Sequence, residues 1–234
     1  MNFIGIDLGW KPKGGTALAV LNPKGRVTAS TYKREEREII SYVESYSRRG
    51  CLVGIDAPLV VRNYRGRRRC EKQLQGMGIP SYPANRRWLL KAFRGVRGES
   101  LVAGLRKIGF ELMDELTPGA ETLGIMEVYP YATLRMLLNA LPAYKKGSKA
   151  ERSLGLNKLR RELARLHPPL MLPREFLNQD AESRLEELKK LADLLDAAVA
   201  AYTVYLYWLY GEERCVVLGD KEEGFILLPR KSLA

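Results

Sequence analysis

Asn2-Phe3-Ile4-Gly5-Ile6-Asp7-Leu8-Gly9 is a short apolar run that reaches one aspartate and meets a glycine two positions later. A run of that length bounded by a turn signal reads as a buried strand. A carboxylate at the end of a buried strand costs free energy unless something pairs with it. On this stretch alone, Asp7 is equally well explained as a residue that caps a turn. Two recurrences change the balance. Leu52-Val53-Gly54-Ile55-Asp56 is a second apolar run ending in Asp, and Leu123-Gly124-Ile125-Met126-Glu127-Val128 is a third with Glu inside it. Adjacent strands that each carry a carboxylate at one sheet edge would make an acidic cluster. Such a cluster repels itself and is most easily stabilised by a hard divalent cation.

Outward from the first strand, the pattern predicts a meander. A breaker-rich turn over 10–15 leads to a strand at Thr16-Ala17-Leu18-Ala19-Val20-Leu21, and Asn22-Pro23-Lys24-Gly25 connects it to a third strand over 26–32. Ile39, Ile40, Val43 and Tyr46 repeat at helical spacing, so residues 34–49 read as a helix stopped by Gly50. The Asp56 strand then returns beside the first. Further on, the spacing predicts a helix over 100–116, a strand over 123–129, and helices over 131–141 and 156–166. A loop follows over 168–179, then one long helix from about Asp180 to Tyr210. Asp193 and Asp196 share a face of that helix, and the alanines after Asp196 allow a close approach to a sheet. A hairpin over 214–218 and 224–228 completes the prediction.

The chain has 234 residues, 46% of them hydrophobic, and a formal net charge of +12. This suits one elaborated domain over 1–234 with basic inserts at about 60–98 and 142–179. The charge is concentrated: residues 62–97 hold eleven Lys or Arg against the single acid Glu71. That asymmetry predicts a polyanionic partner, nucleic acid foremost, against the plainer reading of a solvated basic face. Arg62, Arg65, Arg67, Arg68, Arg69, Arg86 and Arg87 are the candidate phosphate-binding residues of the first insert, and Lys145 and Lys146 those of the second. Trp88 and Phe93 lie among the arginines and are either packing residues or surfaces on which unpaired bases stack. Three scattered cysteines, Cys51, Cys70 and Cys215, predict free or buried thiols in a reducing, cytoplasmic setting. With one histidine, His167, imidazole-based catalysis and an imidazole zinc centre are disfavoured. No stretch reaches membrane-spanning length, and the first strand leaves no room for a signal peptide.

The motifs Gly5-Ile6-Asp7, Ile55-Asp56-Ala57-Pro58-Leu59, Arg69-Cys70-Glu71, Glu127-Val128-Tyr129-Pro130, Asp193-Leu194-Leu195-Asp196-Ala197 and Glu223-Gly224-Phe225-Ile226 span nearly the whole chain. Their order resembles the ribonuclease H fold. More closely, it resembles the domain of unknown function family four-two-nine, described as predicted ribonuclease H-like nucleases. In that family Asp commonly stands where this chain has Glu71. The resemblance implies an α/β fold with a five-stranded mixed sheet, order 3-2-1-4-5, flanked by helices. It also implies a nuclease that hydrolyses DNA or RNA with two Mg²⁺ or Mn²⁺ ions.

On that reading Asp7 is the bridging metal ligand, and Asp56 and Asp196 flank it. Asp193 is a fourth ligand or an orienting residue, and Glu127 is a ligand or the partner of an arginine in the insert. One alternative is a nucleic-acid-binding protein that keeps the fold without catalysis. Another is an actin-like nucleotide-binding domain, since Ile6-Asp7-Leu8-Gly9 also resembles the first phosphate motif of that class. The latter needs two copies of the fold, and the second half shows no repeat of the Asp-x-Gly hairpin.

Overall fold

A computed structural model describes residues 1–10, 15–176 and 184–231. The first strand, β1 (Asn2–Asp7), pairs antiparallel with β2 (Thr16–Leu21), and β2 pairs antiparallel with β3 (Val27–Lys33). Helix α1 (Glu36–Ser45) carries the chain back to β4 (Cys51–Asp56), which lies parallel to β1 with Asp7 registered on Asp56. The first insert contributes α2 (Arg69–Gly76) and α3 (Arg86–Phe93), and α4 (Arg97–Arg106) follows. Then come β5 (Glu111–Leu112), β6 (Leu123–Glu127), α5 (Pro130–Leu137) and α6 (Lys149–Ala164). The long helix is α7 (Leu185–Tyr210), and β7 (Cys215–Asp220) and β8 (Gly224–Pro229) form a separate two-stranded hairpin.

The main sheet is therefore mixed and six-stranded, in the order β3-β2-β1-β4-β6-β5. The expected order 3-2-1-4-5 is correct from β3 to β4 and in placing the 123–127 strand beside β4. It misses β5, which adds a sixth strand parallel to β6. The helix expected over 100–116 ends at Arg106 instead. Gly109 takes φ +94°, a left-handed conformation that stops a helix, and Phe110 and Leu112 follow the two-residue period of a strand. The turn expected over 10–15, the end of the 168–179 loop and the expected start of the last helix at Asp180 fall partly outside the described residues.

Two apolar layers sandwich the sheet. On one side Ile4, Ile6, Leu18, Val53 and Ile55 pack on Ile39 and Val43 of α1 and on Leu101 and Leu105 of α4. On the other, Phe3, Leu52 and Met126 meet α7 through Ala197, Ala198, Ala201 and Val204. Strand alternation produces this division, since neighbouring residues point to opposite faces. Among the described residues no helix is long and apolar enough to cross a membrane.

Candidate functional site

The same alternation aims the carboxylates. Phe3, Gly5 and Asp7 share the α7 face of β1, and Leu52, Gly54 and Asp56 share that face of β4. Both glycines lie directly under the helix. A Cβ on Gly54 would come within 2.6 Å of the Ala200 carbonyl oxygen, and one on Gly5 would collide with the backbone of Ala197 and Ala201. Only glycine lets α7 settle this low on the sheet. That approach delivers Asp196, almost fully buried, to the ends of β1 and β4.

Asp7, Asp56 and Asp196 act on one another electrostatically. Burial, then the charges of Asp7 and Asp196, hold the Asp56 carboxyl well above the usual carboxylate range. Asp7 is pushed up to about 7, chiefly by burial and next by Asp196. Asp196 is raised by burial, against the pull of Lys145 and Tyr144. Tyr144 donates a hydrogen bond of 2.8 Å to Asp196 Oδ1, and the Lys145 ammonium forms an ion pair with Asp196 Oδ2. Against the cost of burial, the charges of Asp196, Asp7 and Asp56 raise the Lys145 ammonium above its ordinary range, while its direct contact is with Asp196. One turn before Asp196, Asp193 Oδ2 accepts a 2.9 Å hydrogen bond from Tyr32 on β3.

Glu127 adjoins this group, since its charge also raises Asp56 and both line one pocket, but its own carboxylate is held elsewhere. It lies in register with Ile55 and has the same parity as Ile125, whose side chain packs in the α1 and α4 layer. Its carboxylate is buried, accepts from Leu59 N at 2.8 Å, and takes a two-pronged grip from Arg68 at 2.5 and 2.8 Å. Of the two roles open to Glu127, the geometry is that of an arginine partner. Arg68 is itself buried and bonds Glu71 at 2.8 Å, so Glu71, Arg68 and Glu127 form one buried network tying the insert to β6.

The family model described as Protein of unknown function (DUF429) matches residues 5–223. The chain belongs to this family. Comparison with curated proteins and with solved structures finds no match.

In this DUF429 chain the nine basic residues singled out from the sequence fall into distinct settings. Arg68 is buried and paired with Glu71 and Glu127. Arg67 donates to the Ser81 carbonyl at 2.7 Å, and Arg86 pairs with Glu99 at 2.9 Å. Arg69 lies 3.7 Å from Asp220 and remains largely exposed, while Arg62 donates weakly to the Glu222 carbonyl at 3.4 Å. Arg65, Arg87 and Lys146 are exposed. Lys145 is turned to Asp196. The insert borders Asp56: Asp56, Arg68, Ser81 and Tyr82 line one pocket.

Three tyrosines that the sequence reading passed over belong to the site. Tyr32 and Tyr144 fix Asp193 and Asp196, and Tyr129 sits close enough to Asp56 for that charge to raise its hydroxyl pKa, after burial itself. Nothing in the local sequence marks Tyr32 or Tyr144, because their partners are distant in the chain. Glu127 did carry a signal. Glycine precedes Asp7 and Asp56 by two positions, on the same face, whereas Gly124 precedes Glu127 by three.

Among the described residues no group of three or more His, Cys, Asp or Glu side chains is arranged, as it stands, to hold a metal ion. The chemistry of Asp7, Asp56 and Asp196 nonetheless fits a hard cation. They are oxygen donors, poorly hydrated and mutually repelling, and an ammonium already partly balances them.

Proposed function

We propose that the protein is a metal-dependent nuclease of ribonuclease H-like architecture, hydrolysing phosphodiester bonds of DNA or RNA with Mg²⁺ or Mn²⁺. The observation that carries this reading is that Asp7 and Asp56, in register on β1 and β4, lie at the strand ends under which α7 brings Asp196, itself paired with Lys145. Asp7, Asp56 and Asp196 would hold the metal, with Asp193 oriented behind them by Tyr32. Bound there, the metal would supply an activated water and offset charge on the leaving oxygen. The chain's own groups have separate tasks. Tyr144 fixes one oxygen of Asp196, and the exposed arginines attract the polyanion. Lys145 would take a phosphate oxygen once Asp196 no longer holds it. The three buried, unpaired cysteines fit a reducing cytoplasm.

The test is cleavage of labelled single-stranded, duplex and branched substrates with Mg²⁺ or Mn²⁺, comparing wild type with Asp7→Asn. Metal-dependent cleavage that disappears in Asp7→Asn is expected, with loss of metal-induced thermal stabilisation. Full cleavage and full stabilisation in Asp7→Asn would overturn the assignment. A second reading, a non-catalytic nucleic-acid-binding protein, is favoured by one observation: Lys145 already supplies a cation to Asp196. Nucleic-acid binding by a wild type that neither cleaves nor responds to metal would select it.

A further inference from the structure

Beside Asp56 lies an aromatic surface that the carboxylates do not use. Asp56, Trp10, Tyr82 and Tyr129 line a shallow, solvent-open pocket. Tyr82 is 77% exposed, and its ring lies parallel to Trp88 within 11°, the centroids 6.1 Å apart. Trp10, 40% exposed, meets Trp88 edge-on at 5.7 Å and Phe93 at 5.0 Å. Tyr129 links this surface to the site: its hydroxyl donates to the Pro80 carbonyl at 3.0 Å, two residues before Tyr82. A single exposed aromatic needs no explanation, but a contiguous group at the rim of a pocket does. The exposed Arg87 and Lys91 lie next to Trp88 and one turn beyond it on α3, and the exposed Arg94 lines a surface cleft with Trp10 and Phe93, so positive charge adjoins the apolar surface.

We infer that Tyr82 and Trp10, backed by Trp88, form a stacking platform for unpaired bases, and that the nucleic acid taken at this site is single-stranded. The inference rests on the nuclease reading for the role of Asp56 and adds the class of substrate. Stacking requires an open base face, which a base within a duplex does not present. Phosphates of the same strand are complementary to the surrounding arginines. Aromatic rings and cations interleaved in this way bind single strands with little sequence preference. The two half-buried members, Trp88 and Phe93, hold the platform in place by packing with Val96 against Val61, Ala84 and Leu89. Tyr82, the most exposed, offers its outer face to the ligand.

The test uses the full chain in EDTA, where metal-dependent cleavage is suppressed, and fluorescence anisotropy of three labelled probes. These are a single strand of about 12 nucleotides, a duplex of the same sequence, and a strand with the same phosphates but abasic sugars. The expected order is single strand tightest, with the abasic strand and the duplex each weaker by about tenfold or more. Tyr82→Ala should weaken single-strand binding by a similar factor and leave abasic binding unchanged, while Tyr82→Phe should bind as wild type does. Exposure of Tyr82 makes loss of folding on substitution unexpected, and the abasic comparison on wild type does not depend on any variant. Equal affinity for ordinary and abasic strands, duplex affinity matching or exceeding that for the single strand, or binding of none of the three would overturn the platform. The nuclease reading fails separately. Base-dependent single-strand binding without cleavage in Mn²⁺ would remove the catalysis and keep the platform. Cleavage by Tyr82→Ala with wild-type KM would do the reverse.

Discussion

Burial, followed by the charge of Asp196, pushes the Asp7 carboxyl up to about 7 against the pull of Lys145. Its ordinary value is 3.8, so between these two values the folded protein holds a proton that the unfolded chain releases. Stability contributed by that proton is present at low pH and is lost as pH rises towards 7. Without divalent metal, the melting temperature should therefore fall between about pH 4 and pH 7. Asp7→Asn should show a shallower fall and melt higher than wild type at the upper end, which thermal melts of both proteins will check. Substituting Glu127 should have the opposite effect on stability. It removes the two-pronged partner of the buried Arg68 guanidinium and leaves Glu71 alone to balance it, so Glu127→Ala should lower stability by about 3 kcal/mol in denaturant titration. Thermal stabilisation by Mn²⁺ should survive in whatever Glu127→Ala protein folds. Reading the sequence assembled Asp7, Asp56 and Asp196 because each stood at the end or on the inner face of an apolar element. It left Glu127 undecided because strand register, which selects the face, depends on pairing with a neighbour elsewhere in the chain.

At the scale of elements, the site depends on how low α7 lies on β1 and β4. Gly5 is the tightest point, since a methyl group there would meet helix backbone and not a side chain that could turn aside. Gly5→Ala should cost about 3 kcal/mol or more, measured by denaturant unfolding, and should reduce metal response by lifting Asp196 from its partners. Long, strongly patterned elements were legible in the sequence: the opening meander, the Asp56 strand and the body of the last helix. Strand β5 was not, because two residues carry almost no periodic signal and the apolar spacing of α4 runs into them. The helix over 100–116 was thus extended past Gly109, whose positive φ becomes informative only when the chain is folded. Arg68 shows the same limit in the insert. In sequence it is one arginine among several, and only the meeting of α2 with β6 makes it an internal residue.

Across the whole molecule the net charge of +12 is distributed unevenly, and the folded chain divides it again. Arg68 is neutralised inside, Arg86 is shared with Glu99, and Lys145 is paired with Asp196, whereas Arg65 and Arg87 face solvent. Substituting Arg67, Arg68 and Arg69 together would therefore damage folding along with affinity. The cleaner experiment is Arg65→Gln with Arg87→Gln, followed by binding to a single strand over a range of salt. Each lost phosphate contact should flatten the slope of log K against log salt by about 0.7. An unchanged slope would place the phosphate-binding surface elsewhere.

Lys145 also alters what loading the site would mean. It reaches Asp196 from the 138–148 connection between α5 and α6, so the carboxylates come with a tethered counter-ion. On the nuclease reading, a divalent ion then enters by exchange and not by simple addition, because an ammonium has to leave. Metal affinity becomes the difference between two contacts. A phosphate that accepts the displaced ammonium makes the exchange easier, and by thermodynamic reciprocity the metal then strengthens the hold on that phosphate. One lysine on a connecting loop would in this way make substrate and metal recruit each other.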